Sequence, residues 1–141
     1  MPTPEPPPLQ GIDHIHIFVS DRAAAETWYR AVLGFARISD YAHWAADGGP
    51  LTIQDAQGCV HLALFERPPQ ACRSTVALRV DGAAFRAWKK HLDRVLPGAV
   101  KEEDHEQALS MYFEDPDGNR VEHRRDTRRR DLCIVRQEGR H

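Results

Sequence analysis

Two stretches of this chain, about sixty residues apart, follow one plan. In the first, an alternating strand from Ile12 to Val19 runs into Ser20-Asp21, and Trp28 lies seven residues beyond the aspartate. In the second, the strand Thr75 to Val80 runs into Asp81, and Trp88 again lies seven residues on. Each aspartate is placed to cap a helix, and Gly34 and Pro97-Gly98 are placed to stop one. A chain that repeats strand, cap and helix at this interval folds as two like modules.

The rest of each half completes the pattern. After the first helix, residues 35 to 54 hold two strands whose edges Gly48, Gly49 and Pro50 blur. The strand Cys59 to Phe65 follows, and Pro68 and Pro69 mark a linker. In the second half, short strands are expected near Val100 to Glu103 and Ser110 to Glu114. The turn Asp115-Pro116-Asp117-Gly118 then leads into a last strand, Asn119 to Arg125. Strand, helix and further strands, read twice, predict an α+β fold: two βαβββ modules with curled, mostly antiparallel sheets around a cleft. The expected organisation is a disordered arm at 1–10, a domain at 11–125 with modules at about 11–66 and 74–125, and a tail at 126–141.

Charge narrows the function. Lys and Arg total 19 against 21 Asp and Glu, a net charge of -2, so nothing in the balance recruits nucleic acid. The cluster Arg124, Arg125, Arg128, Arg129 and Arg130 is interrupted by Asp126 and reads as a solvated or subunit-facing segment. Met1 to Gln10 carries five prolines and no apolar core of a signal peptide, and no apolar run could span a bilayer. Cys59, Cys72 and Cys133 are odd in number and widely spaced, and read as thiols of a reducing compartment. The expected address is cytoplasmic, with no membrane partner.

Eight histidines are more than such a chain needs, and their faces are informative. His14 and His16 project opposite the aliphatic row Ile15, Ile17 and Val19, and His61 projects from the non-aliphatic face of its strand. Glu122, four residues past Gly118, faces away from Val121. An inward carboxylate is costly unless something pairs with it, and a cation would. Two imidazoles and a carboxylate with positions left open suit divalent iron, manganese, nickel or zinc, acting as a Lewis acid or, for iron, on oxygen. Taken singly, an inward strand histidine is more often a hydrogen-bonded core residue than a ligand, and Glu122 alone could be a hairpin end in water; their joint occurrence at equivalent ends of the modules is what favours a metal. His43, His91, His105 and His123 follow no such pattern and read as surface or turn residues, His43 being the first candidate exception. No phosphate loop, dinucleotide fingerprint or nucleophile elbow is present.

Ile12-Asp13-His14 before an alternating strand, Thr27-Trp28-Tyr29 in a helix ending Val32-Leu33-Gly34-Phe35, and Asp115-Pro116-Asp117-Gly118-Asn119 before Glu122 together resemble the vicinal oxygen chelate superfamily. That group contains glyoxalase I, extradiol dioxygenases, fosfomycin-modifying enzymes and bleomycin-resistance proteins, and the resemblance covers residues 11 to 125. It implies a metal held by His14 on the first strand, Glu122 on the last, and His61 at the end of module one. Thr75 departs from the pattern, standing where several of these enzymes carry a histidine. The expected function is a divalent-metal-dependent enzyme, a lyase, isomerase or dioxygenase, acting on a small vicinally oxygenated substrate. The alternative is a metal-free drug-binding protein whose cleft Phe18, Phe65, Trp44 and Tyr112 would line. His16, two residues from His14 and about 6 to 7 Å along the strand, is expected as a general base or substrate contact, with Glu122 the other catalytic candidate. A homodimer is expected, with the apolar stretch Leu132 to Val135 needing cover.

Overall fold

The computed structural model describes residues 5–46, 48–68, 70 and 74–126. In the first module, β1 (Ile15–Val19) leads to α1 (Arg22–Leu33), then to β2 (Ala36–Arg37), a 3-10 turn at Ser39–Tyr41, a short helix α2 (Ala42–Ala46), β3 (Leu51–Gln54) and β4 (His61–Glu66). The second module runs β5 (Thr75–Arg79), α3 (Gly82–Val95), β6 (Lys101–Asp104), β7 (Ala108–Glu114) and β8 (Arg120–Asp126). The strands form two four-stranded sheets, ordered β1-β4-β3-β2 and β5-β8-β7-β6. In both, the first strand pairs in parallel with the last, and the other pairings are antiparallel. This is the α+β fold of two βαβββ modules that the repeat predicts.

The two helices start for the same local reason. The Asp21 carboxylate accepts the Ala24 N–H at 3.0 Å, and the Asp81 carboxylate accepts that of Ala84 at 2.7 Å. Each satisfies one of the amide donors a helix start leaves over. Gly34 ends α1 with φ 74°, a left-handed cap that places its own N–H on the Arg30 carbonyl and the Phe35 N–H on the Tyr29 carbonyl.

Both helices bury one stripe against the aliphatic faces of the sheets. Ile17, Val19, Tyr29, Val32, Ile53, Leu62 and Leu64 from module one join Phe85, Leu92, Met111, Phe113 and Val121 from module two in a single hydrophobic cluster. Trp28 meets Phe113 at 6.4 Å between ring centroids, and the His91 ring bonds the Val32 carbonyl at 2.8 Å. Tyr29 donates its hydroxyl to Asp115 at 2.9 Å, and Asn119 donates to the Phe18 carbonyl at 3.0 Å. The modules are therefore joined through their helix-bearing sides.

Several expectations are corrected. The first strand begins at Ile15 rather than Ile12, which is 80% exposed, and residues 5–10 are exposed and outside any element. Residues 38–46 supply a 3-10 turn and α2 besides the two strands expected there. Cys59 is disulfide-bonded rather than a free thiol, since sequence spacing does not report spatial distance. His123 is 1% exposed rather than a surface residue. Leu132 to Val135 and Arg128 to Arg130 lie outside the described residues.

Candidate functional site

Strand pairing decides which side chains share a face. In module one, Ile15 is level with Leu62 and His16 with Ala63, so His14 and His61 are neighbours at the entry to adjacent strands. His14, His16, His61 and Phe65 accordingly lie on the face away from α1. In module two, Glu122 is level with Ala77 on one side and Tyr112 on the other, with Ser110 and Thr75 on the same face.

The histidine face is open, and it is ordered by a chain of contacts. Asp13 meets the His14 Nδ1 at 2.7 Å, and the His14 Nε2 stands 3.0 Å from the His16 Nε2. The ring of His16 packs on Phe65, 4.7 Å between centroids. His16 is thus drawn to His14 itself, and not held a strand step away from it. His14 and His61 line one cavity of about 180 Å³ with Asp13, Thr52, Tyr41 and Trp44. Tyr41 and Trp44 stack at 4.7 Å on its rim and are 40% and 45% exposed. Trp44 is one of the four aromatic residues expected to line the cleft of a metal-free binder, whereas Tyr41 is placed there by the 3-10 turn that the pattern does not announce.

Glu122 is 7% exposed and accepts a hydrogen bond from the Ser110 hydroxyl at 2.7 Å. Among the described residues it forms no ion pair. Its neighbour Tyr112 has its phenol pushed up, first by burial and then by the Glu122 carboxylate, so it stays a neutral hydroxyl; it also meets the His105 ring at 3.2 Å.

Within one chain, the described residues include no group of three or more His, Cys, Asp or Glu side chains close enough to hold an ion. His14 and His16 come together, His61 shares a cavity with His14, and Glu122 stands on the other sheet. The donors nevertheless suit a divalent cation. Asp13 behind His14 fixes Nδ1 as the protonated nitrogen and leaves Nε2 to ligate, and the buried Glu122 carboxylate, met by two neutral hydroxyls, lacks a countercharge among the described residues.

The other histidines have separate work. His91 ties α3 to α1, His105 sits at the β6–β7 turn, and His43 is exposed beside Trp44. His123 shares the helix face with Val121, against Trp88 and Phe113 at 4.5 and 5.3 Å. Burial pushes its pKa down to about 4. Period-2 alternation from Val121 is the signal that reveals it.

Residues 11–123 match the sequence profile of the Glyoxalase/Bleomycin resistance protein/Dioxygenase superfamily. Among solved structures, a putative glyoxalase family protein from Bacillus anthracis is similar at 21% identity and a TM-score of 0.68, over 87% of this chain and 100% of that one. A lactoylglutathione lyase from Agrobacterium tumefaciens is similar at 21% identity and a TM-score of 0.66, over 84% and 96%. The fosfomycin resistance protein FosX of Listeria monocytogenes, complexed with Mn(II) and sulfate, is similar at 13% identity and a TM-score of 0.62, over 92% and 98%.

Proposed function

Because the chain belongs to the Glyoxalase/Bleomycin resistance protein/Dioxygenase superfamily, we propose that it is a divalent-metal-dependent enzyme acting on a small, vicinally oxygenated substrate. The observation that carries this reading is Glu122: a carboxylate only 7% exposed, met by the neutral hydroxyls of Ser110 and Tyr112 and without an ion pair among the described residues. Burying such a charge without a cation is costly, and a divalent ion supplies one.

His14, His61 and Glu122 are the proposed ligands. Since the two histidines stand on one sheet and Glu122 on the other, the ion lies between the histidine face of one copy and the Glu122 face of a second copy, in a homodimer. Bound there, it supplies Lewis acidity toward adjacent oxygens of the substrate. Around it, the residues have definite tasks. Asp13 holds His14 in one tautomer. Ser110 orients Glu122 from behind, and Tyr112, kept neutral, presents a hydroxyl beside it. Tyr41 and Trp44 wall the cavity and keep water from one side of the bound molecule. The Mn(II) in the structure of the Listeria FosX supports a manganese-type ion; iron, nickel and zinc suit the same donors.

A second reading, a metal-free small-molecule binder, is favoured by the stacked and exposed Tyr41–Trp44 pair, which suits a flat ligand. Metal titration with elemental analysis separates the two. The enzyme reading expects about one ion per site in the wild type and near-complete loss in His14→Ala and Glu122→Ala. Equal, negligible metal in all three proteins assigns the cavity to binding.

A further inference from the structure

We infer that His14 and His16 form a two-imidazole chelate, so that His16 joins His14, His61 and Glu122 as a ligand rather than serving as a base. This rests on the metal-dependent reading above and deepens it.

Side chains at i and i+2 on a strand stand about 6 to 7 Å apart at their roots. Here both rings lean toward each other until their Nε2 atoms are 3.0 Å apart. Two nitrogens each about 2.1 Å from one ion, at a right angle to each other, are separated by about 3.0 Å. The observed spacing is therefore that of neighbouring ligands on one octahedral ion, and an ion would require the two rings, now 25° from parallel, only to turn toward it. His14 lies just before the first ladder residue of β1, which leaves its ring free to lean.

The protons agree with this arrangement. With Asp13 at 2.7 Å from Nδ1, His14 carries its proton there and its Nε2 offers a lone pair. The contact at 3.0 Å then needs one proton between the two Nε2 atoms, carried by His16. A cation takes the place of that proton. His16 moves to its Nδ1–H tautomer, keeps its neutral charge, and turns its Nε2 lone pair to the ion. Phe65 packs against the His16 ring, 4.7 Å between centroids. Both rings are open to solvent, so an ion reaches them without unfolding anything.

The test uses the purified full chain and Co(II) alone, with affinity read by competition against a chromophoric chelator. A parallel measurement follows the histidine ring nitrogens of the wild type by NMR as Zn(II) is added. The inference expects His16→Leu to weaken Co(II) binding by more than about a hundredfold, beyond what loss of an outer hydrogen-bond partner costs, and His14→Leu to do the same. It also expects both Nε2 resonances to move to metal-bound positions. That signature belongs to a ligand, and a merely structural His16 would not give it. If His16→Leu binds Co(II) within threefold of wild type, or the His16 Nε2 resonance does not shift, the chelate is wrong and the metal-dependent reading survives. Absence of Co(II) binding by the wild type overturns both.

Discussion

His123 shows how one side chain couples burial to pH. Its ring sits between Trp88 and Phe113 on the helix side of β8, and neither ring nitrogen has a hydrogen-bond partner among the described residues. Burial is the main cause of its depressed pKa, with His91 adding a smaller push in the same direction and the Glu122 backbone opposing. Folded, it titrates near 4; unfolded, near 6.5. Between these values the unfolded chain binds the proton first, so stability is full above about pH 6.5 and declines toward pH 4, by about 3 kcal/mol at most. Urea unfolding at pH 7 and pH 4.5 should show that decline in the wild type. His123→Leu should flatten it and gain about 1 to 3 kcal/mol at pH 4.5 from removing unsatisfied nitrogens. An unchanged pH slope in the variant would assign the acid sensitivity to other groups. The same residue marks what the sequence hides: alternation puts His123 with Val121, but a histidine on an aliphatic face is easily read as a turn residue when the helix covering it is not yet placed.

At the level of elements, the repeat has an energetic counterpart in its two caps. Asp21 and Asp81 make the same bond to the third residue of their helices, at 3.0 and 2.7 Å. Replacing either by alanine should cost about 1 kcal/mol. The two lesions lie on different helices and share no partner, so the double variant should cost about their sum in urea denaturation. A much smaller effect at one site would mean that its module is not held by that helix. These elements were legible because caps, stops and period are local signals. Residues 38–46 were not, because a 3-10 turn and a five-residue helix are too short for a 3.6 period to register. Those are the residues that wall the cavity with Tyr41 and Trp44. The candidate site divides in the same way. Strand parity identified the faces of His14, His16, His61 and Glu122, but the 3.0 Å approach of His16 to His14 depends on how two rings lean, which spacing does not encode.

For the whole molecule, the arrangement of the modules sets the stoichiometry of the proposed site. The helix-bearing sides of the sheets share one core, tied by Tyr29 to Asp115 and by His91 to Val32, so the histidine face and the Glu122 face are not brought together within a chain. A second copy related by a two-fold axis would set each histidine face against its partner's Glu122 face and make two equal sites. Sedimentation at micromolar concentration should therefore report a dimer. Mixing tests the sharing directly. His14→Ala and Glu122→Ala chains, each unable to hold an ion alone, should on unfolding together and refolding give mixed dimers in which one site carries both lesions and the other carries none. At equal amounts, half the dimers are mixed, so metal content should rise from near zero to about a quarter of the wild-type value. If each chain holds its own ion, every site in the mixture keeps a lesion and the metal content stays near zero. That result, or a monomer in the centrifuge, would rule out the shared site while leaving the fold as it stands.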